Sequence, residues 1–125
     1  MAAQIFIVED HPAVLSAYEL LLRRELDLQV VGTATSAEDA LVLIPQQQPD
    51  LVIVDISLPG IDGLTLSQHL QQKQPALPIL IVTSHERTLQ SIRHSPVLVP
   101  NIKGYLHKAA AVQTLVPSIR LVLAL

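Results

Sequence analysis

Four short apolar runs mark the chain, and each stops at a polar residue that chemistry uses. They are Ile5 to Val8 before Glu9 and Asp10, Leu51 to Val54 before Asp55, Ile79 to Val82 before Thr83, and Gly104 to His107 before Lys108. Runs of about four residues between longer amphipathic segments read as strands of a parallel sheet covered by helices on both faces. All strands of such a sheet point the same way. The residues that follow the runs are therefore expected at one edge, where open α/β sheets bind ligands. That edge would gather three acids, a hydroxyl and an amine.

The intervening segments have helical spacing. Val14, Leu15, Tyr18, Leu21, Leu22 and Leu26 recur over Pro12 to Leu26, with Asp10 as a candidate cap and Pro12 suited to the first turn. Leu28 to Val31 is the next strand. It leads through Gly32 to Ser36-Ala-Glu-Asp39, a capping-box pattern opening a second helix that Pro45 and Pro49 close. After Asp55 a loop reaches Gly63, and a third helix to about Lys73 carries Leu64, Leu66 and Leu70. Pro75 and Pro78 separate it from the strand Ile79 to Val82. A short fourth helix is expected over Arg87 to His94, before a stretch in which Pro96 and Pro100 bracket Val97-Leu98-Val99. Gly104 to His107 is the final strand and Ala111 to Leu123 the last helix, which either kinks at Pro117 or begins later than its pattern. Alternating βα units with right-handed crossovers imply a doubly wound, five-stranded parallel α/β domain.

Composition narrows the function. A chain of 125 residues fits one domain. No stretch approaches the roughly 20 apolar residues of a membrane helix, and the first residues lack a signal-peptide pattern, so a soluble cytoplasmic protein is expected. With no cysteine there is no disulfide, thiolate nucleophile or cysteine metal site. A net charge of -3 with only 8 Lys and Arg argues against direct nucleic-acid binding, and one Phe, two Tyr and no Trp offer no stacking platform. His11, His69, His85, His94 and His107 are scattered without ligand spacing on a helix face and read as surface or edge residues. The low charge and many Leu and Val leave room for an apolar interface with another protein or a second copy.

The motifs IVEDHPAV (residues 7–14), VDISLPGIDG (54–63), VTS (82–84) and KGYLHK (103–108) together resemble the receiver domain of two-component response regulators over nearly the whole chain. Glu9-Asp10-His11-Pro12 is most similar to the branch in which a receiver precedes a helix-turn-helix DNA-binding domain. The resemblance implies a flavodoxin-like receiver fold over residues 1–125, strand order 2-1-3-4-5, and phosphoryl transfer from a sensor histidine kinase or phosphotransfer protein. Asp55 would be the phosphorylated nucleophile. Glu9, Asp10, Asp55 and the backbone carbonyl of Ser57 would hold Mg²⁺, with Mn²⁺ as a substitute. Thr83 and Lys108 would contact the phosphoryl group, and Thr83 would act on Tyr105 as a switch read at the fourth helix, fifth strand and fifth helix. Pro59 and Gly63 would shape the adjoining loop, Gly63 letting the third helix start close to the sheet. Such a module is a phosphoacceptor with autophosphatase activity more than an enzyme with its own turnover. The resemblance also implies a homodimer as an option, and DNA contact only through an effector domain absent from these residues.

One departure stands out: from Thr83 to Lys108 the chain is longer than the family pattern, and the stretch entering the last strand carries Pro96 and Pro100, which should shorten or displace the fourth helix. It motivates an alternative, a degenerate receiver that binds proteins without being phosphorylated. A dehalogenase-like phosphatase also uses an aspartyl phosphate but expects an acid where Ser57 stands. Nucleotide binding lacks a glycine-rich loop after the first strand. Singly, each residue also has a plain structural explanation, Asp55 as a helix cap and Lys108 as a solvated helix-end lysine.

Overall fold

Residues 5–8, 51–54 and 79–82 form the three central strands, as their unbroken apolar character requires. A computed structural model describes residues 2–84 and 99–125. Its sheet is parallel, with order β2-β1-β3-β4-β5: β1 (Ala3–Val8), β2 (Leu28–Ala34), β3 (Leu51–Asp55), β4 (Ile79–Thr83) and β5 (Ile102–His107). The described helices are α1 (Pro12–Arg23), α2 (Ala37–Gln47), α3 (Gly63–Lys73) and α4 (Ala111–Leu123), the last preceded by a 3-10 turn over Lys108–Ala110. The expected helix at Arg87 to His94, with His85, Pro96 and the run from Val97, lies outside the described residues apart from Val99, which is buried.

Alternation along the strands divides the core in two. Phe6, Val8, Val52, Val54, Ile79 and Ile81 face α2 and α3, where Ala40, Ile44, Leu66 and Leu70 meet them. Ile5, Ile7, Leu51, Ile53, Leu80 and Val82 face α1 and α4 and pack on Tyr18, Leu22, Leu115 and Ile119. Since both faces are buried, no polar residue interrupts these runs. The edge strands are wetter, and β2 runs three residues beyond its apolar stretch because Gly32, Thr33 and Ala34 pair with Phe6, Ile7 and Val8.

Several local expectations change. The first helix ends at Arg23, so Leu26 lies beyond it and is almost wholly exposed. Asp10 does not cap it. His11 takes that position in extended conformation, as the residue before Pro12 must, and no side chain caps the helix. Pro45 does not close α2 but lies inside it; the helix ends when Gln48 turns left-handed at φ 49°, and Pro49 follows. The lost bond would have come from the Pro45 nitrogen alone, within the last turn. Pro117 likewise lies within α4, which starts at Ala111 as its pattern indicates. Ser36 behaves as expected, its hydroxyl accepting from the Asp39 amide at 3.2 Å. Arg120 ties α4 to the start of β2, donating to both carboxylate oxygens of Asp27 at 2.8 and 3.3 Å. That pairing holds the exposed Asp27 carboxyl below its usual range.

Candidate functional site

The strand order puts the C-terminal ends of β1 and β3 side by side at the centre of the sheet. Glu9 follows β1 and Asp55 ends β3, and both are sealed from solvent, at 1% and 2% exposure. Lys108 comes from beyond β5 and bridges them: its Nζ donates to Asp55 Oδ2 at 2.9 Å and lies 3.0 Å from Glu9 Oε1. The Glu9 contact is an ion pair without hydrogen-bond alignment, so Oε1 has no directed donor. The other Asp55 oxygen, Oδ1, accepts the Ser57 amide at 3.0 Å. Both Asp55 oxygens are thus oriented by donors.

The acids crowd together. Glu9, Asp10, His11 and Asp55 each present a ligand atom, and these atoms all lie within 4.8 Å of one another. Asp10 Oδ1 is also buried without a directed hydrogen bond. Burial pushes the Glu9 carboxyl above its ordinary value, a shift that Lys108 and the His11 amide only partly oppose and that the Asp55 charge reinforces. Burial works against the Lys108 ammonium, but its contacts with Asp55 and Glu9 more than offset this and raise its pKa. In this arrangement the lysine stands where positive charge is needed.

Thr83 ends β4, wholly buried, and pairs in register with His107, the residue before Lys108. Tyr105 is half-buried, pairs with Ile81 and packs against the core on the α2–α3 side. Since paired residues and alternate residues share a face, Thr83 and Tyr105 belong to the same face of the sheet. Pro59 is exposed in the loop. Gly63 is buried under that loop, donating its amide to Ile56 O at 2.9 Å. A Cβ there would overlap the Asp55 carbonyl oxygen and lie 2.8 Å from the Asp55 carbonyl carbon and Ile56 Cα. α3 thus begins against the strand at a position with no room for a side chain.

Two residues near the site escaped sequence reasoning. His11 is exposed, yet its Nδ1 lies 3.3 Å from Glu9 Oε2 and 3.2 Å from Asp10 Oδ1, and its amide donates to Glu9 Oε2 at 3.1 Å. Adjacency to the acidic pair was the only available signal. Tyr18 reads as one more residue of an apolar helix face, but its hydroxyl is buried without a protein partner. Burial, reinforced by the Glu9 charge, pushes its pKa up to about 12.

Comparison with known proteins decides the family. Residues 5–120 match the response regulator receiver domain. The chain belongs to that family. It is 33% identical over 121 residues to response regulator GacA of Pseudomonas aeruginosa, covering 97% of this chain and 55% of GacA. With the transcriptional regulatory protein DesR of Bacillus subtilis it shares 36% identity over 119 residues, 95% of this chain and 57% of DesR. A crystal structure of a LuxR-family two-component response regulator from Aurantimonas sp. superposes with a TM-score of 0.87 at 32% identity, covering 99% of this chain and 86% of the other. These relatives agree with the branch that Glu9-Asp10-His11-Pro12 indicates. This receiver domain spans only about half the length of the curated relatives it matches. Receiver domains bind Mg²⁺ generally, and the acidic cluster has the hard oxygen donors that Mg²⁺ takes. Among the described residues no helix is long and apolar enough to cross a membrane.

Proposed function

We propose that this receiver is an active phosphoacceptor switch with Asp55 as its nucleophile. The observation that carries the reading is the Asp55 carboxylate itself. It is 2% exposed at the end of β3 and oriented by the Ser57 amide and Lys108, with two further acids beside it. An Asp55 oxygen attacks the phosphorus of a phosphohistidine on a sensor histidine kinase or phosphotransfer protein. The P–N bond breaks, its electron pair returns to the imidazole, and an acyl phosphate forms on the aspartate.

Glu9, Asp10, Asp55 and the Ser57 backbone carbonyl would hold Mg²⁺, or Mn²⁺ in its place. The buried Glu9 Oε1 and Asp10 Oδ1, which lack directed donors, fit a cation. Bound there, it supplies the positive charge that lets an anionic group approach three carboxylates. Lys108 then exchanges carboxylate contacts for phosphoryl oxygens, its long stem allowing the ammonium to follow the charge. The Thr83 hydroxyl also turns to the phosphoryl group. Its shared face with Tyr105 supports a route by which about 1.5 to 2 added negative charges bias the surface around β5.

Residues 1–125 act as the receiver, in the cytoplasm, with a second copy of the chain as one optional partner. Transcriptional control and DNA contact are assigned to an effector domain outside these residues and not to the receiver, whose net charge is -3. Incubation with acetyl phosphate and Mg²⁺, followed by intact mass measurement, should give one phosphoryl adduct. Asp55→Asn or a chelator should abolish it. An unmodified wild-type chain, with acetyl phosphate and with a cognate kinase, would establish the degenerate receiver instead.

A further inference from the structure

The acidic cluster contains one donor that a magnesium site does not call for. His11 points Nδ1 at the same space as the carboxylates, 3.3 Å from Glu9 Oε2 and 3.2 Å from Asp10 Oδ1. A cation with ligands at about 2.1 Å sets neighbouring donors roughly 3.0 Å apart if octahedral, roughly 3.4 Å if tetrahedral, and opposed octahedral donors roughly 4.2 Å apart. The two His11 distances fall between the first two values. The whole set of four residues, with its ligand atoms within 4.8 Å, needs only slight contraction around one ion. Independently of the imidazole, Glu9 Oε1 is an oxygen of a side chain only 1% exposed, and no hydrogen bond is directed at it. The positive charge beside it is the Lys108 ammonium, 3.0 Å away, whose long flexible stem lets it withdraw and leave that oxygen to a bound ion.

We infer that His11 is a metal ligand and that this site takes first-row transition divalents, Co²⁺, Ni²⁺ and Zn²⁺, in preference to Mg²⁺. The inference rests on the reading of the cluster as the cation site of the receiver. Magnesium prefers oxygen and gains little from an imidazole, whereas those ions favour nitrogen, so His11 changes selectivity more than it changes capacity. It costs little to recruit. The residue is held in extended conformation before Pro12, its amide is already fixed on Glu9, and its ring is exposed enough to reorient around Nδ1. A transition ion bound through His11 would occupy the position at which Mg²⁺ serves phosphoryl transfer, making the receiver's activity depend on which divalent ion is available.

The test uses Co²⁺ alone on the whole chain. The ratio of Co²⁺ to Mg²⁺ affinity is measured by calorimetry for the wild type and for His11→Gln, and bound Co²⁺ is observed by paramagnetic proton NMR. Removing even outer-shell partners of a metal costs about 10- to 100-fold in affinity, so His11→Gln should lower the ratio at least about tenfold. Wild-type Co²⁺ protein should show a hyperfine-shifted, solvent-exchangeable imidazole N–H proton, and His11→Gln should lack it. An unchanged ratio overturns the inference. So does a shifted imidazole proton that persists in His11→Gln, since it would belong to another histidine. If the wild type binds Mg²⁺ but shows no shifted imidazole proton with Co²⁺, only the role of His11 fails. If it binds neither ion, the cation site itself fails, and this inference with it.

Discussion

Replacing Gly63 with alanine tests whether the helix that follows the loop after Asp55 is set by steric contact with the strand carrying Asp55. The added methyl would meet backbone alone: the Asp55 carbonyl oxygen inside contact distance, with the Asp55 carbonyl carbon and Ile56 Cα each 2.8 Å away. Carbon atoms prefer about 3.5 to 4.0 Å, so α3 must lift from β3 by at least roughly 0.7 Å. The helix is not free to do this. Its amide bond from Gly63 to Ile56 O, the Ser67 hydroxyl on Gly63 O at 2.8 Å, and buried Leu66 and Leu70 all hold it down. Overpacking a core side chain costs about 1–3 kcal/mol, and a clash with backbone on a central strand belongs at or above the top of that range, about 3 kcal/mol. For a domain of this size that lowers Tm by about 10 °C. Gly60→Ala is the control. Its φ of 72° imposes left-handed strain of about 1–2 kcal/mol, but the nearest atoms belong to the exposed Glu38 carboxylate, which can swing away. Thermal and urea unfolding should rank Gly63→Ala well below Gly60→Ala, and intact mass should show slower acetyl phosphate labelling in Gly63→Ala as Asp55 is displaced. A loss under about 1 kcal/mol at Gly63, or a larger loss at Gly60, would refute the steric argument.

Lys108→Met should destabilise the metal-free domain by about 3 kcal/mol, because it leaves two buried carboxylates without their cation; saturating Mg²⁺ should recover part of that loss, and equal losses in urea with and without Mg²⁺ would contradict it. Tyr18→Phe removes a buried hydroxyl with no protein partner and should raise stability by about 1 kcal/mol; a loss of that size would mean the hydroxyl is satisfied. Glu9 has a folded-state pKa above its unfolded value of 4.5, so the native state binds the extra proton. Without divalent ions its contribution should therefore weaken stability as pH rises from about 4.5 through the folded pKa, and Glu9→Gln should remove that slope from urea midpoints measured across the interval.

Much of this site was legible because strands buried on both faces cannot hide a polar residue, so Glu9, Asp55 and Thr83 mark the sheet edge by ending apolar runs. Lys108 needed the resemblance to assign it, since a lysine after a strand is ordinary; the 2.9 Å bond to Asp55, 53 residues away, and the 3.0 Å ion pair with Glu9 distinguish it. Proline was the misleading signal. Pro45 read as a break and Pro117 as a kink or the sign of a late start, yet each removes one amide donor, and α2 and α4 continue past them because Ile44, Ile119 and their neighbours on the core face remain buried. Asp10 misled in another way, for a cap needs the correct register and Pro12 moves that register to His11.

That shift of one residue has consequences for the chemistry. Had Asp10 capped α1, its carboxylate would have been spent on helix amides and Glu9 and Asp55 would have faced each other across the lysine alone. With His11 as the N-cap, no side chain serves the helix terminus, and the Asp10 carboxylate remains with the acids. Pro12 helps make this tolerable, because it is the first helical residue and has no amide to satisfy. The His11 amide, at the same point, is directed back to Glu9 Oε2. The His-Pro pair after the acids thus acts on the site through backbone register: it starts the helix late enough to leave a third carboxylate beside Glu9 and Asp55.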